Sequence, residues 1–176
     1  MKQKKETILE HANFKFSVDE HIATRDLKAH PRLQKFINLA KSMSEISNFN
    51  KFRMGAVLAI RGKVIARGYN SDKGHPLQKK YNELRTDMGE NSHHPIHAEM
   101  DILKQLKGVD LRNAEIYIYN LNPKGEQRMA RPCAACMAAI KKCGIGVIHY
   151  STPEGFATEY IDPEQKIIVK RGKRPI

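Results

Sequence analysis

The segment HPIHAEMDIL, His94–Leu103, decides how this chain is read. Proline at 95 interrupts any preceding regular structure, and from His97 onward Met100, Ile102, Leu103 and Leu106 recur at helical spacing until Gly108, a residue suited to closing a helix. A helix therefore starts at His97, with a histidine and a glutamate, His97 and Glu99, one residue apart in its first turn. Alone, the pair is ordinary first-turn chemistry. It gains meaning from a second helix start downstream, RPCAACMAAIKKCG at 131–144, where Pro132 opens an alanine-rich run and Gly144 ends it.

In that second start Cys133 and Cys136 stand three positions apart, so both sulfurs converge on one side of the helix. Thiolates bind metal, and a helix N-terminus favours the ionised sulfur through its partial positive charge and unpaired amide donors. With the two helix starts side by side, His97, Cys133 and Cys136 define three corners of a tetrahedron suited to zinc. A structural zinc takes four protein ligands, whereas a catalytic one keeps a position for water. Cys143 lies at the far end of its helix, roughly two turns from Cys136, and is read as a small buried hydrophobe instead. Glu99 is a poor fourth ligand at its spacing, but its carboxylate can reach the open position and accept a proton from water whose pKa zinc lowers to about 7. The pattern is that of a hydrolytic site. A zinc staple in a non-enzymatic interaction module would need a fourth protein ligand and would leave Glu99 without a task.

Outward from these motifs, PRLQKFINLAKSMSEI from Pro31 spaces Leu33, Phe36, Ile37, Ala40, Met43 and Ile46 for a helix. MGAVLAI and VIARGYN, joined by RGK, read as a hairpin. AEIYIYNLN and GVIHYST read as buried strands, EGFATEYI as a short helix, and KIIVKR as a last strand. Residues 71–95 form a long polar insert between the hairpin and His97, which is either functional or mobile. The expected architecture is a three-layer α/β/α sandwich, a mixed sheet of about five strands with helices on both faces. Residues 1–30 are expected to be an N-terminal arm with one helical stretch, and residues 31–176 the zinc-holding domain.

The chain has 176 residues, 40% of them hydrophobic, which suits one compact domain with an arm. No apolar run has the length to cross a bilayer, and the basic N-terminus lacks the apolar stretch of a signal peptide, so a cytoplasmic location without membrane contact is expected. Three cysteines fit that compartment better than a disulfide framework does. With 31 Lys and Arg against 19 Asp and Glu, the formal charge of +12 attracts anions such as nucleotides, nucleic acids or acidic surfaces, although part of it lies in the termini MKQKK and KRGKRPI.

His97-Ala98-Glu99 followed by Pro132-Cys133-Ala134-Ala135-Cys136 resembles the signature of the zinc-dependent cytidine deaminase superfamily. From about Lys35 to Ile161 the element order, including the hairpin ending Gly68-Tyr69-Asn70, looks like the deoxycytidylate and tRNA adenosine deaminase branches. The resemblance implies that His97, Cys133 and Cys136 bind zinc and that Glu99 shuttles protons while water replaces the amino group on a base ring and ammonia leaves. It also implies that Asn70 contacts the sugar or base and that the Ala98 backbone amide helps hold the base. Family members often assemble, so a homo-oligomer is expected.

A free cytosine nucleotide, most simply dCMP converted to dUMP, is the first substrate expected. Lys73, Lys79, Lys80 and Arg85 of the insert would suit its phosphate. The text GHPLQKKY after Asn70 departs from that branch and weakens the assignment. The alternative is a cytosine or adenine deaminase acting on single-stranded DNA or RNA, with backbone contacts from VKRGKRPI and stacking by Tyr69, Tyr81, Tyr150 or Phe156. His75, His93 and His94 could form a second metal site, but without a cysteine partner in the insert that reading is weaker.

Overall fold

A computed structural model describes residues 7–11, 14–18, 20–85 and 93–161. Two short strands, β1 (Thr7–His11) and β2 (Phe14–Val18), pair as an antiparallel hairpin outside the main sheet. They are followed by β3 (Glu20–Ala23), a 3-10 turn at Thr24–Ala29, helix α1 (Pro31–Glu45), and strands β4 (Arg53–Ile60) and β5 (Lys63–Tyr69). Helix α2 (Pro76–Asn82) lies within the polar insert, and α3 (Ala98–Leu103) continues into a 3-10 turn at Lys104–Leu106. Then come β6 (Ala114–Leu121), β7 (Gln127–Arg128), α4 (Ala134–Lys142), β8 (Val147–Ser151) and β9 (Gly155–Tyr160).

Among the described residues the main sheet has seven strands, in the order β3-β9-β8-β6-β4-β5, with β7 paired to the end of β6. The expectation of about five counted β4, β5, β6, β8 and a last strand at KIIVKR, and did not register β3, β7 or β9 as strands. The KIIVKR segment lies outside the described residues. EGFATEYI is not a helix. Residues 155–160 are a strand paired on both sides, with β8 and with β3, and the run Gly155–Glu159 is buried on both faces, which erases the alternation that would have marked it. The helical stretch expected upstream of Pro31 is only the 3-10 turn, and Glu20–Ala23 joins the sheet edge beside β9.

Helices cover both faces, as the sequence pattern requires. Phe36, Ile37 and Ala40 of α1 pack with Val57, Tyr117 and Tyr119 on one side. Met100 and Ile102 of α3 and Ile140 of α4 pack with Leu58, Ile116, Ile118 and Ile148 on the other. Alternate residues of β6 thus serve opposite layers, which is why its sequence reads as an almost unbroken apolar run. Arg61 and Gly62 close the β4–β5 hairpin with φ of 49° and 77°, the left-handed pair that suits strand twist.

Two features place the site. The β6–β8 pair is parallel, with α4 as its crossover, so α4 begins at the carboxyl end of β6. Gly68 on β5 lets α3 settle close to the sheet: a Cβ there would lie 2.7 Å from the Ala98 carbonyl oxygen. Since Gly68 pairs with Ala56, and Ala56 with Ile118, the start of α3 lies over the same end of the sheet as the start of α4.

Candidate metal centre

Both motif helices present their caps as metal donors. His97 is the N-cap of α3 and Cys133 the N-cap of α4, each with extended backbone, and Cys136 lies in the first turn of α4. Neither cap side chain is spent on its own helix, which leaves imidazole and thiol for other work. His97 Nδ1 lies 3.4 Å from Cys136 Sγ and 3.7 Å from Cys133 Sγ. The three donor atoms all fall within 4.8 Å of one another, the one such group among the described residues.

The donor set fits zinc. Two sulfurs and one imidazole nitrogen are ligands that this borderline-soft cation prefers, and three protein ligands is the number found in catalytic sites. Local electrostatics favour a thiolate before any cation arrives. The hydrogen bond from Cys136 holds the Cys133 thiol well below its usual range despite burial, and His97 adds to this. Burial and the neighbouring Cys133 push Cys136 well up. Burial would lower His97, yet the Cys133 sulfur and Glu99 outweigh it, with Arg85 opposing them, and the imidazole is shifted up. A bound dication would draw the proton off the second thiol as well.

Glu99 is 1% exposed, and its Oε2 is a buried oxygen without a hydrogen-bond partner. Burial raises its carboxyl, while His97 beside it pulls the other way. A carboxylate buried without a partner is costly unless a cation or a proton-bearing ligand meets it. The orphan oxygen is thus a second, independent mark of a site at this place.

The other expected site residues are arranged as follows. Ala98, fully buried, is the first residue of α3, where backbone N–H groups lack intrahelical partners. Asn70 is 2% exposed and heavily engaged: its Oδ1 accepts from Ser47 Oγ at 2.7 Å and Met54 N at 2.6 Å, and its Nδ2 donates to Phe52 O at 3.0 Å. One Nδ2 hydrogen is left over. Ser71 N donates to Ile96 O and Ile96 N to Lys73 O, so the two ends of the insert meet beside His97.

Three readings of the insert and its surroundings change. The histidines form no cluster: His75 Nδ1 caps α2 by accepting from Leu77 N, His94 Nδ1 bonds Asn82 Nδ2, and His93 bonds the Asp72 carbonyl. Tyr150 and Phe156 are core residues, which removes them as stacking surfaces. Cys143 is exposed at the C-cap of α4, not buried, on the side that faces the end of α3 and Leu111 across a cavity.

Two groups not singled out by the motifs support the centre. Fully buried Gln78 of α2 accepts from the His97 backbone N–H through Oε1 at 3.0 Å and donates to Asn82 Oδ1 at 2.8 Å. The sequence signal was present in HPLQKKYN, a histidine cap and Pro76 at the first helical position followed by Leu77 and Tyr81 four apart. Arg131, two residues before Cys133, holds Glu159 with bonds of 2.6 and 2.9 Å, and Tyr150 Oη donates to the same carboxylate at 2.7 Å. No local pattern could have announced that long-range pair.

A family model described as the cytidine and deoxycytidylate deaminase zinc-binding region matches residues 31–152. Among solved structures, a cytidine deaminase from Burkholderia pseudomallei superposes with a TM-score of 0.51 and 18% identity, covering 72% of this chain and 91% of that one. The dCMP deaminase of cyanophage S-TIM5 in apo form gives a TM-score of 0.47 and 20% identity over 67% of this chain and 80% of that chain. No curated protein matches the sequence. At such identities the Burkholderia likeness is one of fold.

Proposed function

The chain belongs to the cytidine and deoxycytidylate deaminase family, whose zinc-binding region spans residues 31–152, and from that premise we propose that it hydrolyses the amino group from a cytosine base in a free nucleotide, dCMP to dUMP with release of ammonia being the simplest case. The observation that carries this reading is the unpartnered, buried Glu99 oxygen beside a His97–Cys133–Cys136 donor set.

His97 through Nδ1, Cys133 and Cys136 would hold the zinc. When bound, zinc supplies the Lewis acidity that makes water ionisable near neutral pH. Glu99 takes one proton from the attacking water and returns it to the ring nitrogen next to the carbon that bears the amine. The carbon–nitrogen bond to the amino group then breaks, a carbonyl forms, and ammonia departs with the water's second proton. Burial serves Glu99 by raising its proton affinity, so that it can accept and release a proton in one cycle.

The Ala98 amide is assigned to a base acceptor, and Asn70 to the sugar or base through its remaining Nδ2 hydrogen. Arg85, whose charge is felt at His97, is assigned to the nucleotide phosphate.

The test is mass spectrometry of the zinc-loaded protein incubated with cytosine and adenine nucleosides, their mono- and triphosphates, and short oligonucleotides. The mass change of amino-to-oxo exchange on dCMP is the expected result. Exchange confined to oligonucleotides, with binding that falls steeply with salt, would instead assign a polynucleotide substrate. No exchange on any substrate would overturn the reading.

A further inference from the structure

Between α2, the end of α3 and α4 lies a cavity of about 740 Å³ whose walls include none of His97, Glu99, Cys133 and Cys136. Its walls come from Leu77 and Tyr81 of α2, Leu103 and Leu106 at the end of α3, Leu111, and Ala139 of α4. Its volume is in the range of small-molecule pockets, and its lining is mostly apolar, as theirs is. The polar groups around it share one sign. Lys80, Lys104 and Lys107 border it, with His75, and no acidic residue does. Lys104 is tied to Asp101 at 2.6 Å, whereas Lys80 and Lys107 form no ion pair with a described residue. An apolar chamber with two uncommitted ammonium groups at its rim matches a ligand with an aromatic or aliphatic body and one anionic end.

We propose that this cavity is a second binding site, for a small anionic amphiphile, and that its occupancy is transmitted to the zinc ligands through α2. The link is short. Leu77 lines the cavity, and its neighbour Gln78 accepts from the His97 backbone N–H. Ala139 lines it from α4, one turn beyond Cys136. A ligand that shifts α2 against α4 therefore moves two of the three donors relative to each other. This site does not depend on which nucleotide the enzyme deaminates.

The experiment uses the folded, zinc-loaded chain and 1-anilinonaphthalene-8-sulfonate, a fluorescent aromatic anion, as the probe. The expected result is saturable binding of one probe per chain, with Kd on the order of 10 µM for a ligand of that size. Lys80→Glu/Lys107→Glu should weaken it at least tenfold by reversing the rim charge. Cys143→Phe, which places a ring in the cavity from an exposed position, should weaken it equally. Saturating probe should change the rate at which a chelator removes zinc at least threefold in the natural chain but not in Gln78→Ala. Affinity unchanged in both cavity variants would overturn the site. Equal zinc-release rates with and without probe in the natural chain would overturn its coupling. Val109 is an exposed apolar residue of the same lining, and if sedimentation shows a dimer that Cys143→Phe and Val109→Lys dissociate, the cavity is a subunit interface and the proposal falls.

Discussion

At the scale of single residues, chemistry and scaffold separate cleanly at Glu99. Glu99→Gln keeps shape and burial but replaces a group that can accept and release a proton by an amide that cannot, so turnover should drop by roughly 10²–10⁴-fold, while metal analysis still finds one zinc per chain. Activity near the natural level in that variant would remove Glu99 from the reaction. Arg85 offers a second test by comparison of substrates. Arg85→Ala should raise KM for a nucleoside monophosphate about tenfold or more, as expected for loss of a charge-assisted contact, yet leave KM for the matching nucleoside unchanged. Equal effects on both would show that Arg85 does not read the phosphate. Residue types at fixed spacing were fully legible here: His97, Cys133 and Cys136 converge because caps and first turns have fixed geometry. The bonds that Asn70 makes with Ser47, Met54 and Phe52 were not legible, because Ser47 and Phe52 lie in a connection with no local pattern and Met54 meets Asn70 only once the β4–β5 hairpin has formed.

At the scale of elements, the insert is a working part of the site. Its helix α2 places Gln78 against the His97 backbone, and Gln78→Leu would bury that N–H without an acceptor. A stability loss of about 1–3 kcal/mol in denaturant unfolding is expected, accompanied by faster zinc loss to a chelator. Unchanged zinc release would show that the bond serves folding alone. The loop before Cys133 is anchored differently, by the buried Arg131–Glu159 pair at 2.6 Å. Glu159→Ala should cost about 3–5 kcal/mol of folding stability, again measured by denaturant titration, and a loss under 1 kcal/mol would mean the loop is held by other contacts. The polar composition of residues 71–95 concealed α2, since only Leu77 and Tyr81 mark its apolar side. In β9 the difficulty was the reverse. Burial on both faces left no period, and alanine and glutamate tilted the reading toward helix.

At the scale of the whole molecule, the three layers and the helix-bearing hairpin architecture follow from periodicity alone, whereas β3 and β7 are too short to leave a pattern. Zinc held by His97, Cys133 and Cys136 would tie the start of α3 to the start of α4, so its removal should lower Tm markedly and returning it should restore Tm in a concentration-dependent way, by calorimetry. A Tm indifferent to zinc would mean that the packed sheet fixes the donors unaided. The parallel pairing of β6 with β8 has a kinetic corollary. His97 precedes Cys133 by 36 residues, and α4 is secured only once β8 docks against β6. A growing polypeptide emerging from the ribosome thus exposes its imidazole well before its thiols. Capture of an ion by all three donors would accordingly follow the docking of β8.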